Sequence, residues 1–412
     1  MRIAFLIRRK NYYRPLGPVV EEALRRGYQV ECWHDYRGTP RDGKVSEFPD
    51  LVPAFRAGSP TVHRFDGAPD LAEKFRADSP DAVICLDPPD PDVKAVAKAK
   101  WIWLQYSIDL VFYRTPQGIL DSEAVGTYSP YWAGKVEERY RDSGLAGELR
   151  RKMVPVGMPE LDVVPTIDPE DVRRRYGLPP GRPVVLYLSF PLRSNPQTFW
   201  LRHVFAPSTR LEQGLRTVLG RRVDYWPHVV NGWNDHGLVR ALRAFCDRNG
   251  ALLVVKSRLK DPIRRYARRL ADRVLYDPSH YPPTILELLS VASLCIHSYS
   301  TAVLEAAYCG VPSLCLAPDV VDMGLEPLWV EFVHNGNPGG IYNWPGVAYW
   351  KPLATAFDGL PRWSLADFAH DRGAQRSYVE CFLGFDDGRS SSRLLDQVTR
   401  LLQDGSAGHG RR

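Results

Sequence analysis

With 412 residues, 44% apolar and 25% charged, the chain has the composition of an ordinary globular protein, but it is long for one core. Two domains of fewer than about 200 residues each are therefore expected. The formal charge of +6 is mild and unevenly spread, and seven scattered cysteines, odd in number and set in apolar runs, read as buried free thiols of a reducing compartment. No CxxC pair, HExxH or His/Cys cluster is present, so the sequence lends no support to a metal site.

The opening MRIAFLIRRK reads as a first β-strand, Ile3 to Ile7. It is too short for a signal peptide or a membrane span, which points to a cytoplasmic protein. A helix near Pro18 to Arg26 and a strand Gln29 to Trp33 follow, the start of a parallel α/β sheet. Ala82 to Leu86, Trp101 to Gln105 and Val125 to Tyr128 continue as short strands, with a helical piece at Lys94 to Lys100 and a helix at Pro130 to Arg141. Met153 to Val156 closes this series, and the proline-rich, charged stretch Val163 to Pro183 reads as a hinge. A second alternating series begins at Pro183 to Leu188. After a polar and aromatic insert, Pro191 to Asn231, it resumes with helix Gly237 to Asn249 and strand Ala251 to Lys256. A basic cluster from Lys256 to Arg273 reads as a solvated helix face, or as a surface for anionic lipid or a phosphate-rich acceptor. Thr284 and Glu287 have the spacing of a capping box.

The most informative stretch is Leu294 to Pro318, LCIHSYSTAVLEAAYCGVPSLCLAP. A buried strand (Leu294 to Ile296) breaks into a hydroxyl-rich turn with Ser298, Ser300 and Thr301, which opens a small-residue helix, Ala302 to Cys309. Gly310 closes that helix before a strand Pro312 to Ala317. Free N–H groups at such a helix start, with hydroxyls beside them, suit a phosphate. Glu305, about one turn in, would repel phosphate but accept hydrogen bonds from ribose hydroxyls. The alternative is a cap at Ser300 or Thr301 on a helix that merely packs, with Glu305 solvated.

Ile296-His297-Ser298-Tyr299-Ser300-Thr301, with Glu305 four residues on and then Ala306-Ala307-Tyr308-Cys309-Gly310-Val311-Pro312, resembles the donor-site segment of GT-B-fold glycosyltransferases. Within that superfamily it is nearest the CDP-glycerol glycerophosphotransferase and capsule-polysaccharide transferase group. The group reads roughly T-D-Y-S-S here, so this chain keeps the Tyr-Ser pair and lacks the acid. Gly157 to Asp162 and Asp387-Gly388 with Arg393 resemble two further stretches of these enzymes. The resemblance implies two Rossmann-like α/β domains facing across a cleft: residues 1–163 binding acceptor, a hinge at 164–183, and 184–390 binding the nucleotide donor. A C-terminal helix within 391–412 would cross back to the first domain.

The same resemblance implies donor contacts from several loops. Lys256-Ser257-Arg258 stands where the family commonly reads Lys-Pro-His, with Arg258 a fork for phosphate. Arg193 lies in the loop after the first donor-domain strand, joining His297, Ser298, Ser300, Thr301 and Glu305. The general base is expected in the first domain. The family's Trp-His-Gly is here Trp103 to Asp109 without the His, so Asp109 is the leading candidate, with His34 and Asp35 in reserve; each also reads as an ordinary loop or strand-end residue. Asp90-Pro91-Asp92 matches the metal-binding Asp-x-Asp of the GT-A fold, yet its flanking prolines read as a stiff turn. Aromatic loops at Tyr225 to His236 and Tyr342 to Trp350 would stack on sugars, dip into a membrane interface, or simply pack.

The implied activity is metal-independent, inverting transfer of a sugar from a nucleotide-activated donor to a hydroxyl of a glycan or lipid-linked acceptor, with no cofactor beyond the nucleotide sugar. A glycerophosphotransferase, a nucleotide-sugar 2-epimerase, a non-catalytic nucleotide-sugar-binding protein and a nucleic-acid-modifying transferase stay open, as does peripheral membrane contact.

Overall fold

The computed structural model describes residues 1–36, 52–108, 110, 116–189, 235–257, 263, 265–276, 280–317 and 338–407. The chain divides into two units. The first comprises Met1–Thr166, Ser279–Thr284 and Val379–Arg412, the second Ile167–Pro278 and Ile285–Tyr378.

Every strand pair in the first unit is parallel. Strands β1 (Arg2–Ile7), β2 (Gln29–Asp35), β3 (Thr61–Phe65), β4 (Ala82–Cys85), β5 (Lys100–Leu104), β6 (Ala124–Thr127) and β7 (Met153–Pro155) lie in the order β3-β2-β1-β4-β5-β6-β7. Central strands are apolar along their length because helices cover both faces of such a sheet; Ile3 to Ile7 and Ala82 to Cys85 are buried throughout. Helix Tyr13–Arg25 starts earlier than its prolines suggest. Pro15 falls in the first turn, where an N–H has no intrahelical partner to lose. Its buried side chains Leu16, Val19, Val20 and Ala23 join a core with Phe5, Ile84, Ile102 and, from the far end of the sequence, Leu394, Leu395 and Val398.

Those last residues belong to helix Ser390–Ala407, which begins one residue before the 391–412 expected. Its start is held by Asp162, whose carboxylate accepts hydrogen bonds from the backbone N–H of Ser390 (3.0 Å) and Ser391 (2.7 Å). Gly157 lies against the same turn with φ +92°, and a Cβ there would stand 2.3 Å from Ser390 Oγ. The stretches Gly157 to Asp162 and Asp387 to Arg393 thus form one joint.

In the second unit β8 (Val184–Leu188), β9 (Leu252–Ser257), β10 (Arg273–Tyr276), β11 (Leu294–His297), β12 (Ser313–Ala317) and β13 (Ala348–Pro352) form a second wholly parallel sheet, ordered β10-β9-β8-β11-β12-β13. Helix Asp235–Arg248 buries Leu238, Val239, Leu242, Phe245 and Cys246, a stripe of helical period against Val185, Leu253 and Ile296.

Several local expectations are corrected. The helical piece lies at Pro91–Val96 and not at Lys94 to Lys100, because Asp90 caps it by accepting from the N–H groups of Asp92 (3.1 Å) and Val93 (3.4 Å). Thr284 begins its helix, Thr284–Leu289, without forming a capping box. Glu287 instead accepts from Arg175 Nη1 and Tyr176 Oη, each at 2.5 Å. The stretch read as a hinge contains helix Pro169–Tyr176, started by Asp168 and closed by Gly177 in the left-handed region. Three strands unanticipated in the sequence, β3, β10 and β13, are all sheet edges.

Candidate functional site

In each sheet the strand order reverses once, and the crevice outside the carboxyl ends at that reversal is where open parallel sheets bind ligands. In the second unit the reversal lies between β8 and β11. The exit of β11 is the turn Ser298 to Thr301, so chain topology puts the hydroxyl-rich segment at the carboxyl end beside that reversal.

The turn is tightly self-bonded. Tyr299 takes φ +46° and its N–H reaches Cys315 Sγ (3.4 Å). Ser298 Oγ donates to the Leu316 carbonyl (2.6 Å), and the Ser300 N–H donates to His297 Nδ1 (3.3 Å). The N–H groups of Ala302, Val303 and Leu304 go to Ser300 Oγ (3.2 Å), Ser300 O (3.2 Å) and Thr301 O (3.0 Å). This corrects the expectation of free N–H groups at the helix start: most are already engaged, and helix Ala302–Tyr308 is short.

His297 is 1% exposed, and burial pushes its imidazole down to about 3. The ring is therefore neutral. Since Nδ1 accepts from Ser300, the proton sits on Nε2, a buried donor without a partner among the described residues. Tyr342, buried at 5.9 Å from the imidazole, donates its hydroxyl to the Tyr299 carbonyl (3.2 Å). Glu305 is buried on the first turn of the helix, and its charge helps push the thiols of Cys295 and Cys309 upward, after burial itself. Lys256 is buried at the end of β9, two strands from β11, and its ammonium acts on Cys295 in the opposite sense. A buried cation, a buried carboxylate, a neutral imidazole and hydroxyls thus converge on one sheet edge, a set able to hold phosphate and ribose together. Arg193 and Arg258 lie outside the described residues.

The first unit has its own reversal, between β1 and β4. Asp109 lies outside the described residues. Around it, Gln105 is fully buried: its side-chain oxygen accepts from Tyr128 N–H (3.0 Å) and its amide nitrogen donates to the Ser107 carbonyl (2.9 Å). His34 is 2% exposed, with Nε2 at 2.7 Å from the Tyr13 hydroxyl, and Asp35 is buried beside it. At the reversal itself stand residues not singled out in the sequence. Tyr12 Oη donates to Asp87 Oδ2 (2.8 Å), Arg8 Nη1 lies 3.6 Å from the same oxygen, and Asn11 Nδ2 donates to Tyr106 Oη (2.7 Å). Their signal was positional: Arg8 and Asp87 closely follow the ends of the two strands that flank the reversal.

The aromatic stretch 342–350 is largely packing, with Tyr342 buried and Trp344 edge-on to Tyr378 at 5.4 Å; the stretch 225–234 lies outside the described residues. Among the described residues no group of three or more His, Cys, Asp or Glu side chains is arranged to hold a metal, and no helix is long and apolar enough to cross a membrane.

No family model matches the sequence, and no curated protein matches it. Solved structures do. The wall teichoic acid polymerase TagF aligns over 98% of this chain and 89% of its own, at 13% identity and TM-score 0.54. Staphylococcus aureus MnaA, solved with UDP, aligns over 98% and 97%, at 11% identity and TM-score 0.55. The UDP-GlcNAc 2-epimerase of Neisseria meningitidis, bound to UDP-GlcNAc, aligns over 97% and 100%, at 11% identity and TM-score 0.53. The chain has the GT-B fold, as its two parallel sheets and these neighbours show.

Proposed function

We propose that this protein is a GT-B transferase that moves a glycosyl unit from a nucleotide-activated donor to an acceptor hydroxyl of a glycan or other cell-surface polymer precursor. The observation that carries the reading is the placing of His297, Ser300 and Glu305 at the strand reversal of the second sheet, with buried Lys256 at the end of β9, the strand beside β8. In this reading Lys256, the hydroxyls of Ser300 and Thr301, and the Nε2–H of His297 stabilise the departing phosphate, while Glu305 receives ribose hydroxyls. The role needs no metal, because fixed cations and donors supply the charge stabilisation that a metal would otherwise bring.

The epimerase alternative draws on the alignment with the Neisseria enzyme over its whole chain. Release of free epimerised sugar without an acceptor would favour it.

Calorimetry and thermal shift against CDP, UDP, GDP and TDP and their sugars test the proposal. Saturation at about 100 times the dissociation constant adds about 2.7 kcal/mol of stability. Glu305→Gln should weaken binding of the responding nucleotide by about 1–3 kcal/mol, the scale of a charged hydrogen bond. Absence of binding by any of them would refute the function, and unchanged affinity in Glu305→Gln would refute that residue's role.

A further inference from the structure

We infer that Asp87 is the general base of this transferase, acting on a hydroxyl of a polyhydroxyl acceptor; the inference rests on the transferase reading above. Four observations support it. Asp87 follows β4 at the strand reversal, the place where open parallel sheets bind ligands. Its side chain is 30% exposed, so a ligand can reach it. One carboxylate oxygen, Oδ2, is fixed by the Tyr12 hydroxyl at 2.8 Å and faced by Arg8 at 3.6 Å. Oδ1 accepts no hydrogen bond from the described residues, so the group is oriented by one oxygen and open at the other.

The surroundings suit a sugar or polyol. Asn11 Oδ1 is buried without a partner among the described residues, an acceptor that a ligand hydroxyl would satisfy. Asn11 itself is fixed by its amide bond to Tyr106, and the Tyr106 and Tyr12 rings lie 5.8 Å apart, offering apolar faces beside polar tips. Burial, together with the charge of Asp87, pushes the Tyr12 phenol far above its ordinary range, so it stays a proton donor to the carboxylate.

In the step assigned here, Oδ1 takes the proton of the acceptor hydroxyl as that oxygen bonds to the anomeric carbon. The bond from that carbon to the donor's phosphate oxygen breaks, its electron pair leaves with the nucleoside diphosphate, and Asp87 then returns the proton to solvent. Water can stand in for the acceptor, which makes the test independent of the acceptor's identity. Nucleotide release from UDP-GlcNAc and from CDP-glucose, with water as acceptor, should fall about 100-fold or more in Asp87→Asn. Nucleotide affinity by calorimetry should be unchanged in that variant, which keeps an oxygen for Tyr12. Sodium formate should restore turnover to Asp87→Ala and not to Asp87→Asn, a rescue that a structural role would not produce. Normal turnover in Asp87→Asn, or no rescue of Asp87→Ala by formate, overturns the assignment. A wild-type protein that neither binds nor consumes either donor overturns the transferase reading and this inference with it.

Discussion

Replacing Gly157 with alanine tests the joint between the Gly157 to Asp162 stretch and the C-terminal helix. Two costs add. An alanine at φ +92° is forced into a left-handed conformation, which costs about 1–2 kcal/mol. Its Cβ would also stand 2.3 Å from Ser390 Oγ and 3.0 Å from Ser390 Cβ, and overpacking of this kind costs about 1–3 kcal/mol. The sum, about 2–5 kcal/mol, corresponds to a fall in Tm of roughly 4–20 °C for a unit of this size. Gly27 is the control: it has φ +73° and nothing within 4 Å of the place a Cβ would take, so Gly27→Ala should show only the conformational cost. Removing the obstacle with Ser390→Gly should return the packing part, so a double-mutant cycle by denaturant unfolding should give a coupling of about 1–3 kcal/mol between the two positions. If Gly157→Ala proves no worse than Gly27→Ala, or the cycle shows no coupling, the contact does not hold the helix as described.

Two further outcomes are expected. His297 has an imidazole held near 3 in the folded chain and ordinarily near about 6.5. Its contribution to stability is therefore complete above about pH 6.5 and falls as the unfolded chain takes up a proton, by up to about 1.4 kcal/mol per pH unit, down to the folded value. His297→Gln should flatten the loss of stability between pH 7 and pH 5 in urea titrations, and an unaltered slope would count against the buried neutral ring. Burial raises the thiols of Cys32, Cys246 and Cys315 to about 12, and Cys85 and Cys295 are buried as well. An aromatic disulfide reagent should accordingly titrate no thiols beyond Cys309 and Cys381 until denaturant is added, whereas rapid reaction of more than two would refute that burial.

What could be read in the sequence followed burial. Central strands such as Ile3 to Ile7 and Val184 to Leu188 are apolar at nearly every position because both faces are covered, and they stood out. The edge strands β3, β10 and β13 carry mixed side chains, Thr61-Val62-His63-Arg64-Phe65 among them, and gave no period to detect. The turn after β11 was legible as a hydroxyl-rich strand-to-helix break. Its self-bonding was not, since that depends on Cys315 and Leu316, brought alongside by β12. Glu287 shows the same limit: spacing alone paired it with Thr284, while the fold supplies Arg175 and Tyr176 from more than a hundred residues away. The cluster around Asp87 joins the exits of β1, β4 and β5, a proximity that only strand order reveals.

The capping of Ser390 and Ser391 by Asp162 also orders events in time. The second unit draws its segments from between Thr166 and Val379, whereas the first recovers its last helix only from the chain that follows. During synthesis the seven-stranded sheet must wait, with the surface later covered by Leu394, Leu395 and Val398 still wet, until the whole second unit has left the ribosome. A stalled or truncated chain would therefore carry a finished second unit beside a first unit whose core is open, the half-made species that chaperones and proteases would meet.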